Sequence, residues 1–145
     1  AIAGRFAVTD YVGYKKYARD GGGVTDTREA IIQPTSMVSY TNKPLVLLVS
    51  AETASAAEAF TLAMLPNDQV TVIGTATQGI FSDVLEWVLP GGHALGLSNE
   101  VYLSADDVWY EGSGIPVDIE VPNFSKSDRE SGQDSGIEAA LTTLM

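Results

Sequence analysis

The pattern of apolar positions is clearest between residues 45 and 74. L-V-L-L-V at 45–49 and V-T-V-I-G at 70–74 are short apolar runs, typical of strands that are buried on both faces of a sheet. Between them, 54–65 is rich in helix formers and repeats apolar residues at three- and four-residue spacing until Pro66 interrupts it. The pattern predicts a strand, a helix that starts near Ser55, and a second strand, joined by a right-handed crossover.

Before this unit the pattern is weaker. V-G-Y-K-K-Y-A at 12–18 alternates like an edge strand, and the glycine-rich stretch 21–27 predicts a flexible loop. A loop or a short strand is predicted around M-V-S-Y at 37–40, between two prolines.

After residue 74, apolar runs predict three more strands, at 83–89, 94–98 and 100–103. Pro-Gly-Gly-His at 90–93 predicts a hairpin tip between the first two. The polar stretch 125–136 predicts a surface connection. A last helix is predicted at 136–144, with the Asp134-Ser135 pair as its cap.

The composition is that of one globular domain with its own core: 145 residues, 45% hydrophobic and 19% charged. Nineteen acidic against eight basic residues give a net charge of −11, so like-charge repulsion argues against a nucleic-acid partner and favours neutral or basic substrates. The absence of cysteine excludes disulfides, thiolate zinc sites and a cysteine nucleophile. Without a histidine cluster or an Asp-x-Asp-x-Asp loop, we expect no metal and no cofactor.

The stretch E-T-A-S-A-A-E at 52–58 admits two interpretations. In the first, the Thr53 or Ser55 hydroxyl caps the helix and Glu58 completes a capping box. In the second, Ser55 is a nucleophile. At the junction of a core strand and a helix it stands beside free backbone N–H groups and the positive end of the helix dipole, where an oxyanion is stabilised. The stretch by itself leaves both interpretations open.

T-A-S-A-A-E at 53–58 resembles the nucleophile segment of the tail-specific, or C-terminal processing, serine peptidases and their tricorn-core relatives. The similarity continues in family order at 70–79, 82–102, 109–121 and 128–141. It implies an α/β, crotonase-like fold in which the predicted strands form a mixed sheet with flanking helices. It also implies a serine endopeptidase that acts on polypeptides.

The resemblance assigns roles to several residues of this stretch and the next. Ser55 would attack the peptide carbonyl, and the N–H of Ala56 would bind the oxyanion. Thr53 and Gly79 are further candidates for the substrate cleft. Asp83, which follows Ser82 near the Gly79 turn, is either a cleft residue or an ordinary solvated carboxylate.

The resemblance also bears on the catalytic base. The bacterial tail-specific branch has a lysine just after a Gly-x-x-Thr-x-Gly turn, but here Ile80 follows that turn and no lysine occurs between Lys43 and Lys126. A Ser-Lys dyad is therefore excluded across this stretch. The tricorn-like branch has a Ser-His-Ser-Glu set, and its glutamate segment is similar to Y-E-G-S-G-I at 110–115. Glu111 becomes the candidate that orients a histidine; without the resemblance it is an ordinary turn residue.

The single histidine, His93, lies at the predicted hairpin tip and is not expected to be the base. The chain begins without Met on A-I-A-G-R-F, like the last turn of a helix, and the resemblance places the catalytic histidine upstream of the nucleophile segment. We therefore expect residues 1–145 to be the C-terminal part of one catalytic domain, inactive alone, with the upstream part of the same protein as its partner. Homo-oligomerisation stays open, and the export of most relatives implies an extracytoplasmic location.

A non-catalytic binding module on the same scaffold is the alternative. Retinoid-binding relatives of the family carry apolar ligands, and this chain lacks both the lysine and a usable histidine. Acyl-CoA chemistry on this scaffold is disfavoured, because the acidic chain has no basic cluster to bind a pyrophosphate.

Overall fold

The computed structural model describes residues 2–36, 40–41, 43–122 and 125–145. It contains nine strands and three α-helices within these ranges, after a short 3-10 helix at Ala3–Arg5. The strands are β1 (Tyr11–Asp20), β2 (Gly23–Val24), β3 (Arg28–Ile32), β4 (Leu45–Val49), β5 (Val70–Gly74), β6 (Val84–Val88), β7 (Ala94–Ser98), β8 (Glu100–Ser104) and β9 (Ile119–Glu120). The helices are α1 (Ala56–Met64), α2 (Lys126–Ser131) and α3 (Ser135–Thr143). The prediction around 37–40 falls mainly on residues outside the described ranges.

The β4-α1-β5 unit forms as the apolar pattern predicts. β4 and β5 pair in parallel, from Leu45 opposite Val70 to Val49 opposite Gly74, and β9 adds a further parallel strand beside β5. Because Ser55 comes shortly after β4, it lies at the carboxyl edge of this sheet, next to the residues that follow β5.

The prediction of an edge strand at 12–18 is wrong. β1 is an interior strand: it pairs antiparallel with β3 on one side and with β8 on the other, while β2 extends one end. Its alternation is weak because the strand is half covered, with α1 packed against it at Gly13. A Cβ at Gly13 would lie 3.1 Å from the Cα of Ala63, so the glycine allows the helix to approach. The predicted loop at 21–27 includes β2, which turns back onto β1.

The strands predicted after residue 74 all form, but they do not join one sheet. β8 belongs to the β1 sheet, β5 and β4 to the parallel sheet, and β6 and β7 pair only with each other. The chain leaves the body of the fold at the base of this hairpin, where the Asn99 N–H donates to the carbonyl of Asp83. The α/β class is confirmed, with the strands distributed over three sheets rather than one.

The C-terminal segment contains one helix more than predicted. The stretch expected to be a surface connection holds α2, which Ser125 caps by accepting the Asp128 N–H and which Gly132 ends at a φ of 69°. α3 forms where predicted, and Asp134 is its N-cap. None of the helices in the described residues has the length and apolar character needed to cross a membrane.

The core lies on both sides of α1. One cluster joins Leu62, Phe81, Tyr102 and Ile115, and a second contains Ala3, Ala63 and Met64. The helix is therefore held along its length, which fixes the position of its N-terminus and of Ser55 before it.

Candidate active site

Ser55 occupies a sharp turn between β4 and α1. Its backbone angles are φ 54° and ψ −120°, whereas a residue that caps a helix ordinarily has β-region angles. A positive φ is strained for a residue with a Cβ, by roughly 1–3 kcal/mol, and such strain persists only where the surroundings enforce it. The turn leaves Ser55 exposed at the junction between β4 and α1.

Two hydrogen bonds enforce this conformation. The Ser55 N–H donates to the carbonyl of Ile80 at 2.9 Å and to Oε2 of Glu58 at 3.1 Å. Ser55 and Glu58 form the predicted capping box, in which the Ser55 side chain faces the Glu58 N–H and the Glu58 carboxylate accepts the Ser55 N–H. Ser55 is nevertheless exposed.

Ser55 opens onto a groove of about 400 Å³ beside α1. Its walls are mostly apolar and aromatic, and include Tyr14, Phe60, Phe81 and Tyr102. Ala56 also lines the groove, and because it is the first residue of α1, its N–H has no acceptor within the helix. The positive end of the α1 dipole thus faces the groove next to the Ser55 hydroxyl.

Glu111 reaches the same region from the loop after β8. Its Oε2 accepts the N–H groups of Phe81 at 3.1 Å and of Ser82 at 3.2 Å, while Oε1 has no hydrogen bond to the described residues. Ser55 and Glu111 are therefore both attached to residues 79–82, which we call the bridging segment. Glu111 is half-buried and does not line the groove itself.

Asp83 lines the groove and belongs to a charged cluster. Its Oδ2 accepts from the Tyr102 hydroxyl at 3.0 Å and from Nζ of Lys16 at 3.3 Å, and Lys16 also bonds Glu100 at 2.5 Å. Burial disfavours the charge, but hydrogen bonds from Tyr102 and Lys16 lower the pKa of Asp83 overall. For Lys16, burial by itself lowers the pKa, but the hydrogen bonds to Glu100 and Tyr102 outweigh burial and raise the pKa overall. Burial raises the pKa of Tyr102 to about 12.

No local pattern indicates that Lys16 lies near the groove, because 67 positions separate it from Asp83. Only the pairing of β1 with β8 brings them together. Its raised pKa keeps the Lys16 ammonium protonated near neutral pH, so it is a poor proton acceptor.

Thr53 and Gly79 do not line the groove. Thr53 closes the turn before Ser55: its Oγ1 accepts the Ser50 N–H at 3.0 Å, and its carbonyl accepts the Gln78 N–H at 2.9 Å. Gly79 has a φ of 79°, and a Cβ there would lie 2.7 Å from the Gly114 nitrogen. Both residues shape the backbone around the site.

His93 lies at the exposed tip of the β6–β7 hairpin, where the Leu89 N–H donates to its carbonyl at 2.8 Å. It is not among the residues that line the groove. Among the described residues, no group of three or more potential ligands could hold a metal ion.

The chain belongs to peptidase family S41, whose family model matches residues 3–121. S41 is a family of serine peptidases, so the chain contains a serine-peptidase domain in the general sense of that family. No curated protein sequence matches the chain.

Solved structures agree with this family assignment. A candidate peptidase from Parabacteroides merdae is similar with a TM-score of 0.87 and 25% identity, over 99% of this chain and 46% of its own. The photosystem II D1 C-terminal processing protease is similar with a TM-score of 0.62 and 22% identity, over 82% of this chain and 29% of its own. The tricorn protease is similar with a TM-score of 0.59 and 20% identity, over 81% of this chain and 11% of its own. The chain thus spans less than half of each of these proteins.

Proposed function

We propose that this chain is the nucleophile-bearing part of a serine endopeptidase, with Ser55 as the nucleophile. The observation that carries the proposal is the backbone of Ser55: a strained positive φ, held by the Ile80 carbonyl and Glu58, presents an exposed serine to a groove. A serine that only capped the helix would have a negative φ. Ser125, which caps α2, has a φ of −58°.

The chemistry follows from the neighbouring groups. The Ser55 oxygen forms a bond to the carbonyl carbon of the substrate while its proton passes to a base. The carbonyl oxygen becomes an oxyanion that accepts the Ala56 N–H at the positive end of α1. The intermediate collapses as the C–N bond breaks and the amine takes up the proton from the base, and water then hydrolyses the acyl-enzyme.

The base, in this proposal, comes from outside residues 1–145. His93 does not line the groove, and Lys16 is kept protonated by Glu100 and Tyr102. Glu111 supports a histidine from elsewhere, since one of its carboxylate oxygens is fixed by the bridging segment and the other has no partner among the described residues. The 145 residues alone are therefore inactive, and addition of the base-bearing polypeptide restores turnover.

The test is to label the complete natural protein with a fluorophosphonate and to identify the modified residue by peptide mapping. We expect the label on Ser55, and we expect Ser55→Ala to abolish both labelling and peptide hydrolysis. Ser125→Ala is the matched control, since it removes a true helix cap: it costs about 1 kcal/mol of stability and leaves turnover unchanged. Labelling at another serine, or turnover that survives Ser55→Ala, would refute the proposal.

The groove indicates which substrate side chain the site takes. The residue whose α-carbon is bonded to the attacked carbonyl lies nearest to Ser55 and Ala56, so its side chain enters the adjoining groove. Because the walls are apolar and aromatic, we propose that this side chain is apolar.

Ala59, one turn into α1, lines this groove, whereas Ala57 is exposed and does not. Ala59→Leu should lower kcat/KM for substrates with leucine or phenylalanine before the cleaved bond by about tenfold or more, and spare those with alanine. Ala57→Leu should leave the preference for leucine or phenylalanine over alanine, measured as the ratio of the two kcat/KM values, unchanged. If Ala59→Leu also left this preference unchanged, the groove would be excluded as the site for that side chain.

The apolar lining of the groove also favours the alternative of a non-catalytic binding module. In that case the complete natural protein would bind an apolar ligand equally well with Ser55→Ala, and Ser55 would not react with the fluorophosphonate. The labelling experiment therefore separates the two candidate functions.

A further inference from the structure

Glu58 is a fully buried carboxylate, with 0% of its surface exposed. Its Oε1 accepts the Thr77 hydroxyl at 2.6 Å and the Gly79 N–H at 2.7 Å. Its Oε2 accepts the Ile80 N–H at 2.9 Å and the Ser55 N–H at 3.1 Å. A buried charge is costly unless hydrogen bonds satisfy it, and here four donors do so without an ion pair to any described residue.

A capping box explains only one of these four contacts. It requires the carboxylate to accept the N–H of the residue before the helix, and a glutamate with that task alone is normally exposed. The other three donors follow β5: Thr77 lies just before the bridging segment, and Gly79 and Ile80 are its first two residues. Glu58 thus joins the turn of the proposed nucleophile to a separate part of the chain.

The same donors continue to the loop of Glu111. The Thr77 hydroxyl accepts the Ile115 N–H at 2.8 Å, and the Gly79 carbonyl accepts the Gly112 N–H at 2.8 Å. Glu58 and Glu111 together accept four consecutive backbone N–H groups, those of residues 79 to 82. A continuous set of hydrogen bonds therefore runs from Ser55 through Glu58 to Gly112 and Ile115, which closely follow Glu111 in its loop.

We infer that Glu58 is a positioning residue, which fixes the placement of Ser55 relative to Glu111 without itself touching the substrate. The inference rests on the proposed function, because it matters only if these two residues act together. Displacement of either group by a fraction of an ångström slows a reaction that depends on aligned groups, while substrate binding in the groove is preserved. Loss of Glu58 should accordingly act on kcat and little on KM.

The test uses Glu58→Gln in the complete natural protein. Glutamine has the same size, but its NH₂ group would face backbone donors where a carboxylate oxygen now accepts them. We expect kcat and the rate of fluorophosphonate labelling at Ser55 to fall by about 10- to 100-fold, with KM changed less than about threefold. Thr77→Val should shift kcat in the same direction, and Thr77→Ser, which keeps the hydroxyl, should restore most of it.

Asp118→Asn is the matched control. The Asp118 carboxylate accepts the Val72 N–H at 2.7 Å, so it too anchors backbone, but it has no hydrogen bond to the bridging segment. If Glu58→Gln and Thr77→Val lose no more kcat than Asp118→Asn, measured per folded molecule, the inference is overturned. If Glu58→Gln does not fold, the comparison of Thr77→Val with Thr77→Ser decides the matter. If wild-type Ser55 does not react at all, it is the proposed function that fails.

Discussion

The bridging segment and the β6–β7 hairpin follow each other in the chain and are held in opposite ways. Residues 79–82 are fixed by two carboxylates that accept every backbone N–H in the segment. The hairpin that starts two residues later is exposed throughout both strands. Leu85, Trp87, Leu95 and Leu97 share one face of it, from their register, and are 40–56% exposed.

The comparison shows that an apolar pattern in the sequence and firm anchoring in the structure are separate properties. The alternating apolar residues of the hairpin predict strands correctly but not their burial. The bridging segment has no periodic pattern, yet it is the most firmly anchored part of the site. Polar anchoring of the bridging segment therefore acts together with the apolar packing of α1 to set the geometry around Ser55.

The largest effect is expected where the two glycine-rich loops of the anchored region touch. Gly114 has a φ of 74°, and a Cβ there would lie 2.0 Å from the Thr77 carbonyl oxygen. Gly114→Ala should therefore destabilise the fold by roughly 3 kcal/mol or more in urea unfolding followed by circular dichroism. Gly112→Ala is the control: its φ is 79° but no atom lies within 4 Å, so it should cost about 1–2 kcal/mol. Equal losses would contradict the close contact.

The second largest effect on stability is expected from the backbone strain at Ser55. Because glycine tolerates a positive φ, Ser55→Gly should raise the free energy of unfolding by about 1 kcal/mol relative to Ser55→Ala. The control is Ser125→Gly, which removes a helix cap at a φ of −58°. This change should slightly lower the free energy of unfolding. If Ser55→Gly were the less stable of the two Ser55 variants, the turn would not be strained.

The junction between the two regions, at Asp83, predicts a small pH-dependent effect. Hydrogen bonds lower the pKa of Asp83, so its charge stabilises the folded state above about pH 4 and this contribution is lost as the pH falls through the folded-state pKa. The side chain is 61% exposed, so Asp83→Asn should cost at most about 1 kcal/mol at pH 7. The difference from wild type should vanish near pH 2. A constant difference across this range would show that charge is not the cause.

The smallest effect is expected in the hairpin. Trp87→Ser in this chain should change the free energy of unfolding by no more than about 0.5 kcal/mol, since the indole is 56% exposed. Leu62→Ala, which removes a side chain that is 1% exposed, should cost about 2–5 kcal/mol. A large loss in Trp87→Ser would mean that the hairpin contributes to the core.

Local patterns were sufficient for much of the fold. The β4-α1-β5 unit, the hairpin, the strand at 100–104 and the last helix all follow from apolar spacing and turn residues. The interior position of β1 could not be predicted, because pairing with β3 and β8 depends on contacts up to 90 residues apart. The split into three sheets escaped prediction for the same reason.

For the candidate site, the T-A-S-A-A-E stretch by itself left Ser55 as either a cap or a nucleophile, and the family resemblance pointed to Ser55 as the nucleophile and to Glu111. The distribution of Glu58 over four donors was not predictable, since the capping-box pattern accounts for only one of them. Lys16 was missed because nothing in β1 marks it as a neighbour of Asp83. Residues that act through distant backbone groups leave no local signature.

The positions of the two tryptophans have a consequence for spectroscopy. Trp87 and Trp109 are 56% and 60% exposed, and no tryptophan lies in the core. Intrinsic fluorescence of the folded chain should already resemble that of indole in water and should shift little on unfolding. Quenching by acrylamide should be efficient at both residues. The same signal becomes useful for association, because any partner that covers the hairpin will move the emission of Trp87 to shorter wavelength and protect it from the quencher.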